Sequence, residues 1–267
     1  MAINNKAYSP KEFQFAIAEQ DDFGVLEPSG GNNYVAVDVD SIGSPSLNLN
    51  QTLDVRTGSR VLQATDFFQD NKNKVMEFSV SGTATTEVLD LILGNITFGD
   101  TSPYLLTSQQ GANYLAVGAE NQTENQILSI LYKSPASGHT LAFKDCFCTA
   151  ISFNGDAGTE GGRVKFSATF KSGSAPTLND SSLSVDTAIT ANNYYMSNWD
   201  ADDRIIAGHS NMLVNSFTLN IENDVTFAGL TATGFESASR VSEVSATADF
   251  NVKYDDNTDV MFENFHD

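Results

Sequence analysis

The residues able to do chemistry in this chain are few and far apart. His139, His209 and His266 stand alone, and no HExxH, nucleophile elbow or glycine-rich phosphate loop accompanies them. Local spacing therefore assembles neither a metal-assisted hydrolysis nor a nucleophilic relay. Asp38, Asp40 and Gly43 begin like a calcium loop, but the twelfth position, which must supply a carboxylate, is Leu49. A solvated turn is the better reading. Some pair among the 34 Asp and Glu residues could sit at glycosidase spacing, yet that pairing is a matter of geometry that no local pattern specifies. Cys146 and Cys148 flank Phe147, and two positions apart in a strand they are poorly set for a mutual disulfide, while two thiols alone make a poor zinc site. Free, partly buried thiols of a reducing compartment are expected. The sequence thus leads us to expect no catalytic residue, no metal ligand, no cofactor and no enzyme activity.

Charge narrows the partners. Lys and Arg number 14 against 34 acidic residues, a formal net charge of −20. Such a surface repels phosphate backbones and anionic membranes, and the scattered basic residues argue against direct nucleic-acid readout. Met1–Lys11 has no apolar signal core, and no run approaches the roughly 20 apolar residues of a membrane span. The expectation is a polypeptide made and used soluble, with no membrane partner.

The elements that must position any site are strands. In Glu243–Tyr254, Val244, Ala246, Ala248, Phe250, Val252 and Tyr254 alternate with Ser245, Thr247, Asp249, Asn251 and Lys253, the period of a strand with one dry and one wet face. Val164, Phe166, Ala168 and Phe170 alternate likewise with Lys165, Ser167, Thr169 and Lys171, and Met76, Phe78 and Val80 with Glu77, Ser79 and Ser81. Further strands are predicted over Lys11–Ala18, Tyr34–Val39, Ser46–Val55, Leu141–Phe153 and Met212–Phe227. Gln126–Lys133 is so continuously apolar that burial on both faces is predicted. One helix is predicted over Thr85–Leu93, from a Thr cap, Glu87 and the apolar pairs Val88/Ile92 and Leu89/Leu93, with Gly94-Asn95 as its stop. Arg56–Lys74 and Ala228–Arg240 are read as loops, and Gly173–Arg204 as a polar arm. The arm's aromatic stretch Asn193–Trp199 is too apolar to hang free, so it should dock on its own domain or on a neighbour.

An internal repeat is visible at an offset of 170 residues. In Ser46–Val55 against Ser216–Val225 five of ten positions coincide, at Ser46, Leu49, Asn50, Asp54 and Val55. The repeat divides the chain into halves, 1–135 and 136–267 with the arm 173–204, or else marks duplication within one compact unit, 1–267.

Asn215–Asn223, a loop and then Glu243–Val252 resemble the C-terminal part of tail tube proteins of long-tailed bacteriophages. Asp145–Phe153 followed by Arg163–Phe170 is similar to that family's central strand pair, and Ser46–Gly94 to its early strand, strand and helix block. The resemblance implies an all-β fold with one short helix, a tail-tube-like β-sandwich or partial barrel whose strands join a continuous inter-subunit β-barrel in a ring. It implies a virion structural protein, made in the host bacterial cytoplasm, that assembles with itself as stacked rings and meets tail terminator, distal tail and tape-measure proteins. DNA would pass through without specific binding. Six chains per ring, or three with pseudo-sixfold symmetry, would close it. The polar rows Ser245, Thr247, Asp249 and Asn251, with Thr218, Asn220 and Glu222 beside them and Asn48, Asn50, Thr52 and Asp54 in the first copy, are the expected lumen lining. The alternative is a secreted or surface β-sandwich that binds glycans on a platform of Tyr194, Tyr195 and Trp199.

Overall fold

The structure is a computed structural model, and it describes residues 12–27, 34–43, 45–47, 51–53, 67–69, 75–86, 88–97, 107–109, 112–114, 127–135, 140–180, 182–187, 193–198, 206, 211–231, 234–241, 244–256 and 258–259. Among these residues the chain is all-β. The strands are β1 (Gln14–Gln20), β2 (Tyr34–Ala36), β3 (Val39–Ile42), β4 (Ser46–Leu47), β5 (Gln51–Leu53), β6 (Phe67–Gln69), β7 (Met76–Thr83), β8 (Thr107–Gln109) and β9 (Ala112–Tyr114), followed by β10 (Ile127–Lys133), β11 (Thr140–Asp156), β12 (Lys165–Ser172), β13 (Thr177–Leu178), β14 (Val185–Thr187), β15 (Val214–Glu222), β16 (Val225–Ala228), β17 (Ser237–Arg240) and β18 (Ser245–Val252).

Twelve of these strands form one sheet, and its centre is the 17-residue β11. The N-terminal part of β11 pairs with β10, which carries β1, β2 and β14 beyond it. Its C-terminal part pairs with β12 on one edge and with β15 on the other. Beyond β12 lie β7, β3 and β4; beyond β15 lies β18. The two wings fold onto one another around a shared core in which Phe78 meets Phe143 at 4.7 Å and Phe170 at 5.6 Å between ring centroids. At the corner between β2 and β3 the chain passes from one wing to the other. There the Val37 N–H donates to Phe15 O at 3.0 Å, and the Thr83 N–H donates to Asp38 O at 3.1 Å. Among the described residues no closed barrel forms within the subunit.

One strand serves two wings because it carries two bulges. Core-facing side chains along β11 are Phe143, Cys146, Cys148, Ile151 and Phe153, so the interval of two is twice stretched to three. Register slips at the same places, against β10 near Asp145 and against β12 near Thr149. Asp145 takes φ 54° and is fully buried, but its groups are satisfied. Its Oδ1 accepts from Gln20 Nε2 at 2.7 Å and the Gly24 N–H at 2.6 Å, its Oδ2 accepts from Ser174 Oγ at 2.8 Å, and its own N–H donates to Gln20 Oε1 at 2.9 Å. A plain alternating strand is therefore not what Leu141–Phe153 forms.

The second bulge is held by Arg240. Its guanidinium donates to Cys148 O at 2.7 Å, to Asn223 O at 2.7 Å and to Asn95 O at 2.6 Å, and lies 5.4 Å from the centre of the Phe147 ring. Asn95 and Ile96 end the helical segment, a π-helical turn Val88–Leu93 running into the α-helical turn α1, Gly94–Ile96. Gly94-Asn95 thus does not stop the helix. The turn is buried, Asn95 Oδ1 accepts the Cys148 N–H at 2.6 Å, and Asn223 Nδ2 donates to Ile96 O at 3.0 Å, so distant side chains satisfy the helix end that a glycine cap would otherwise serve.

Other expectations are refined. β10 is buried on both faces from Leu128 to Leu131, as its composition predicts. Its second face is covered by part of the supposed arm: β13 pairs with β11, β14 pairs with β2, and Leu183 packs with Tyr34 and Leu131. The loop read over 228–240 has strand only at its ends, where Ala228 closes β16 and Ser237–Arg240 forms β17 paired with it, and Phe67–Gln69 inside the loop read over 56–74 pairs with β5. Strands from both sides of residue 135 share one sheet, since β7 pairs with β12 and β10 with β11. Cys146 and Cys148 are free and buried, more deeply than the sequence suggests.

Removing the Arg240 guanidinium leaves three buried carbonyls without their donor, each worth about 1–3 kcal/mol. Arg240→Met should therefore cost at least about 3 kcal/mol in urea unfolding, with Arg240→Lys recovering only part, because an ammonium cannot span three acceptors as a planar fork does. A Cβ on Gly82 would lie 2.0 Å from Asp38 O at the corner, so Gly82→Ala should destabilise by about 1–3 kcal/mol in the same assay. Burial pushes the Cys148 thiol up from 9.0 to about 12 and raises Cys146 as well, so a thiol reagent at pH 8 should label neither in the native protein and both after unfolding. The neutral thiol is favoured by folding, so this contribution is intact below about pH 9 and is lost as pH rises towards 12.

Candidate functional site: a polar sheet face with an open edge

The bulge at Thr149 decides what the second wing presents. Beyond it Ile151 and Phe153 turn to the core, so Ser152, Asn154 and Asp156 turn the other way. Directly opposed residues of an antiparallel pair share a face, and the registers extend this polar side across the wing. One row runs Thr247, Asn220, Ser152, Ser167, Ser81, Ser41 across β18, β15, β11, β12, β7 and β3. The next runs Asp249, Thr218, Asn154, Lys165, Thr83, and a third Ser245, Glu222, Ala150, Thr169, Ser79. The hydroxyls of Ser41 and Ser81 lie 2.8 Å apart.

Seven of the residues singled out in the sequence meet here. Thr218 faces Asp249, Asn220 faces Thr247, Glu222 faces Ser245, and Asn251 lies opposite Ser216. The four of β18 and Glu222 are exposed, and Thr218 and Asn220 half-buried. From the first copy, Thr52 lies in β5 opposite Phe68, while Asn48, Asn50 and Asp54 lie outside the described residues.

The reverse side of the ribbon β15–β18 differs from expectation. Alternation predicts that Val244, Ala246, Ala248 and Phe250 form a dry face, yet β18 is exposed on both sides for all but its last residue, with Phe250 40% accessible. The reason is placement. β18 has β15 on one side and, among the described residues, no strand on the other, and it overhangs the core. Beneath it runs an apolar groove of about 530 Å³, walled by Leu89 and Leu93 of the helical turn, Phe153 and Met196, with Leu219 and Phe250 above.

The arm's aromatic stretch docks on its own subunit beside this groove. The Tyr194 N–H donates to Ala84 O at 3.2 Å, the Val164 N–H donates to Tyr194 O at 2.9 Å, and Arg163 lies 5.9 Å from the centre of the Tyr195 ring. Tyr194 and Tyr195 are thereby built into the wall; Trp199, and the three histidines with it, lie outside the described residues.

Charge on the polar face is mostly negative, from Asp156, Glu222, Asp249, Glu77 and Asp40. Two lysines of β12 share it. Lys165 Nζ lies 2.8 Å from Asp40 Oδ2 and 3.1 Å from Glu160 Oε2; Lys171 Nζ lies 2.6 Å from Asp224 Oδ1. Partial burial alone would raise Asp224, but the hydrogen bonds from Lys171 and the Val225 N–H outweigh it, and the carboxyl sits below its ordinary value. Sequence reading did not identify Arg240, Asp145 or these ion pairs. The only local signals were a charged residue inside an apolar run, at Asp145, and the broken alternation at Thr149-Ala150.

No family model matches the chain, and no curated protein matches it. Among solved structures, it is similar to a chain from the tail of an empty gene transfer agent particle refined helically with C6 symmetry, at TM-score 0.34 and 13% identity, over 65% of this chain and 100% of that one. It is similar also to a chain of the native gene transfer agent virion, at TM-score 0.33 and 12% identity, over 65% and 100%. A third is the sheath/tube terminator of an extracellular contractile injection system in its extended state, at TM-score 0.29 and 10% identity, over 64% and 95%.

Proposed function

We propose that this chain is a virion structural protein, a tail tube subunit that polymerises as stacked homomeric rings around a conduit for DNA ejection. One observation carries the reading: β18 overhangs its subunit, exposed on both faces and, among the described residues, open at its edge. A strand of eight residues whose second edge has no strand among the described residues, with Ala246, Ala248 and Phe250 along one flank, is a template for pairing with another chain. A neighbouring copy laid against that edge completes its hydrogen bonds, fills the apolar groove below and continues the polar face into the next subunit. Repetition closes a wall whose inner surface is the hydroxyl and carboxylate rows.

On this reading Ser245, Thr247, Asp249, Asn251, Thr218, Asn220 and Glu222 line the lumen, together with Asn48, Asn50, Thr52 and Asp54 of the first copy. Strands of both sequence halves contribute to one polar face, so the chain 1–267 acts as one unit, and six copies rather than three close the ring. An electronegative, hydroxyl-rich wall lacks the cationic contacts that hold DNA, so the duplex slides past without specific binding. Arg56–Lys74 and Ala228–Arg240 serve contacts to adjacent rings, and tail terminator, distal tail and tape-measure proteins are the partners at the ends and within.

Negative-stain microscopy of the concentrated protein should show sixfold rings or hollow filaments; monodisperse single subunits at every concentration would sink the reading. Ala246→Lys with Ala248→Lys places two charges on exposed positions, where stability changes by only about 0.5 kcal/mol each. This variant should melt within a few degrees of the parent and remain monomeric in sedimentation.

A further inference from the structure

Among the described residues the polar face carries two cations within its strands, and the structure assigns three carboxylates to hiding them: we propose that Asp40, Glu160 and Asp224 mask Lys165 and Lys171 from any phosphate backbone that passes the face. The proposal rests on the conduit reading above and names the residues that make its wall non-adhesive.

Three features carry it. First, Lys165 and Lys171 lie within the six-strand face, cross-strand from Thr83 and Glu77, where a duplex would meet them. Arg163 and Lys253 fall beyond the ends of β12 and β18. Second, each ammonium is already engaged: Lys165 with Asp40, Glu160 and, at 3.4 Å, Thr83 Oγ1, and Lys171 with Asp224. Third, the pairs are layered. The lysine side chains are each 24% accessible, whereas Asp40, Glu160 and Asp224 are 57%, 63% and 56% accessible. The carboxylates sit on the solvent side, so an approaching anion meets negative charge first.

The origin of the three acids supports the assignment. Asp40 comes from β3, Glu160 from the turn after β11, and Asp224 from the link between β15 and β16. None is the directly opposed strand neighbour of the lysine it binds, so separate parts of the fold reach in to cover each cation. Exposed ion pairs of this kind add little stability, which leaves their effect on the field of the face as their main consequence. A ring repeats each lysine in every subunit, and a circle of uncovered ammonium groups at one height would grip a duplex through counterion release.

The test compares Asp40→Asn/Glu160→Gln/Asp224→Asn with a control of equal charge change away from the face, Glu12→Gln/Asp22→Asn/Asp256→Asn, and with the first triple carrying Lys165→Gln and Lys171→Gln as well. Binding of a fluorescent DNA duplex of about 20 base pairs is followed by anisotropy across a salt series, and the same samples are imaged for tubes. The unmasked triple should bind the duplex at least about tenfold tighter than the parent at about 50 mM salt, with a salt slope steeper by about two per subunit for its two lysines. The control should stay near the parent, and removal of the lysines should abolish the gain. A triple no tighter than the control, or a gain that survives loss of both lysines, overturns the masking. Tubes without a gain defeat the masking and leave the conduit standing; a gain in a protein that never forms tubes upholds the masking and defeats the conduit.

Discussion

The structure depends on one strand doing two jobs. β11 must pair with β10 in one wing and with β12 and β15 in the other, and a regular strand would put the same side chains inward along its whole length. Two inserted residues resolve the conflict. Each leaves main-chain groups unpaired in an apolar interior, where an orphaned group costs about 1–3 kcal/mol, and each is met by a polar side chain from far along the chain. Gln20 and Ser174 with Asp145 serve the first, and Asn95 and Arg240 the second. Burial lowers the Arg240 guanidinium to about 10, still far above neutrality, so the staple remains a cation under physiological conditions. Phe147, turned away from the main core by the first bulge, finds cover under Arg240 and the edge of Phe227.

Much of this was legible in advance, and the limits fall along physical lines. Strands whose one face meets the core and other meets water carry period two in their composition, and β7 and β12 stand where that period puts them, with the predicted faces inward. β10 shows its double burial in the same way. What periodicity cannot carry is a partner. The alternation in Ser245–Val252 specifies two faces but not how deeply the apolar one is buried, and among the described residues it stays exposed. Nor does local sequence show that Gly94-Asn95 continues a helix, because the groups that satisfy its end, Arg240 and Asn223, lie 145 and 127 residues away. The seven candidate lining residues on β15 and β18 came together because register follows from alternation once two strands pair. Of the members placed in the first copy, Thr52 pairs instead within β5–β6, opposite Phe68.

The polar face gains its character from small side chains. Serine, threonine and asparagine dominate the three rows, each able to donate and accept, and the few charged groups are either acidic or lysines under carboxylates. Such a surface holds water well and offers a polyanion no fixed contact. The opposite flank of the same ribbon is apolar and open. Among the described residues, one ribbon thus carries a surface that stays wet and, on its reverse, an apolar surface that lies open over a groove.

The distances along the chain have a consequence for how the subunit is made. The second bulge is not secured until Arg240 has been synthesised, 92 residues after the Cys148 carbonyl it binds and 145 after Asn95. Contacts of such separation close late and slow maturation. The exposed strand β18 begins only at Ser245, just after the guanidinium that locks the scaffold. In a nascent chain the exposed strand β18 therefore emerges from the ribosome after the residue that locks the scaffold beneath it. Translation order itself lets the bulged scaffold be completed before its most exposed strand is.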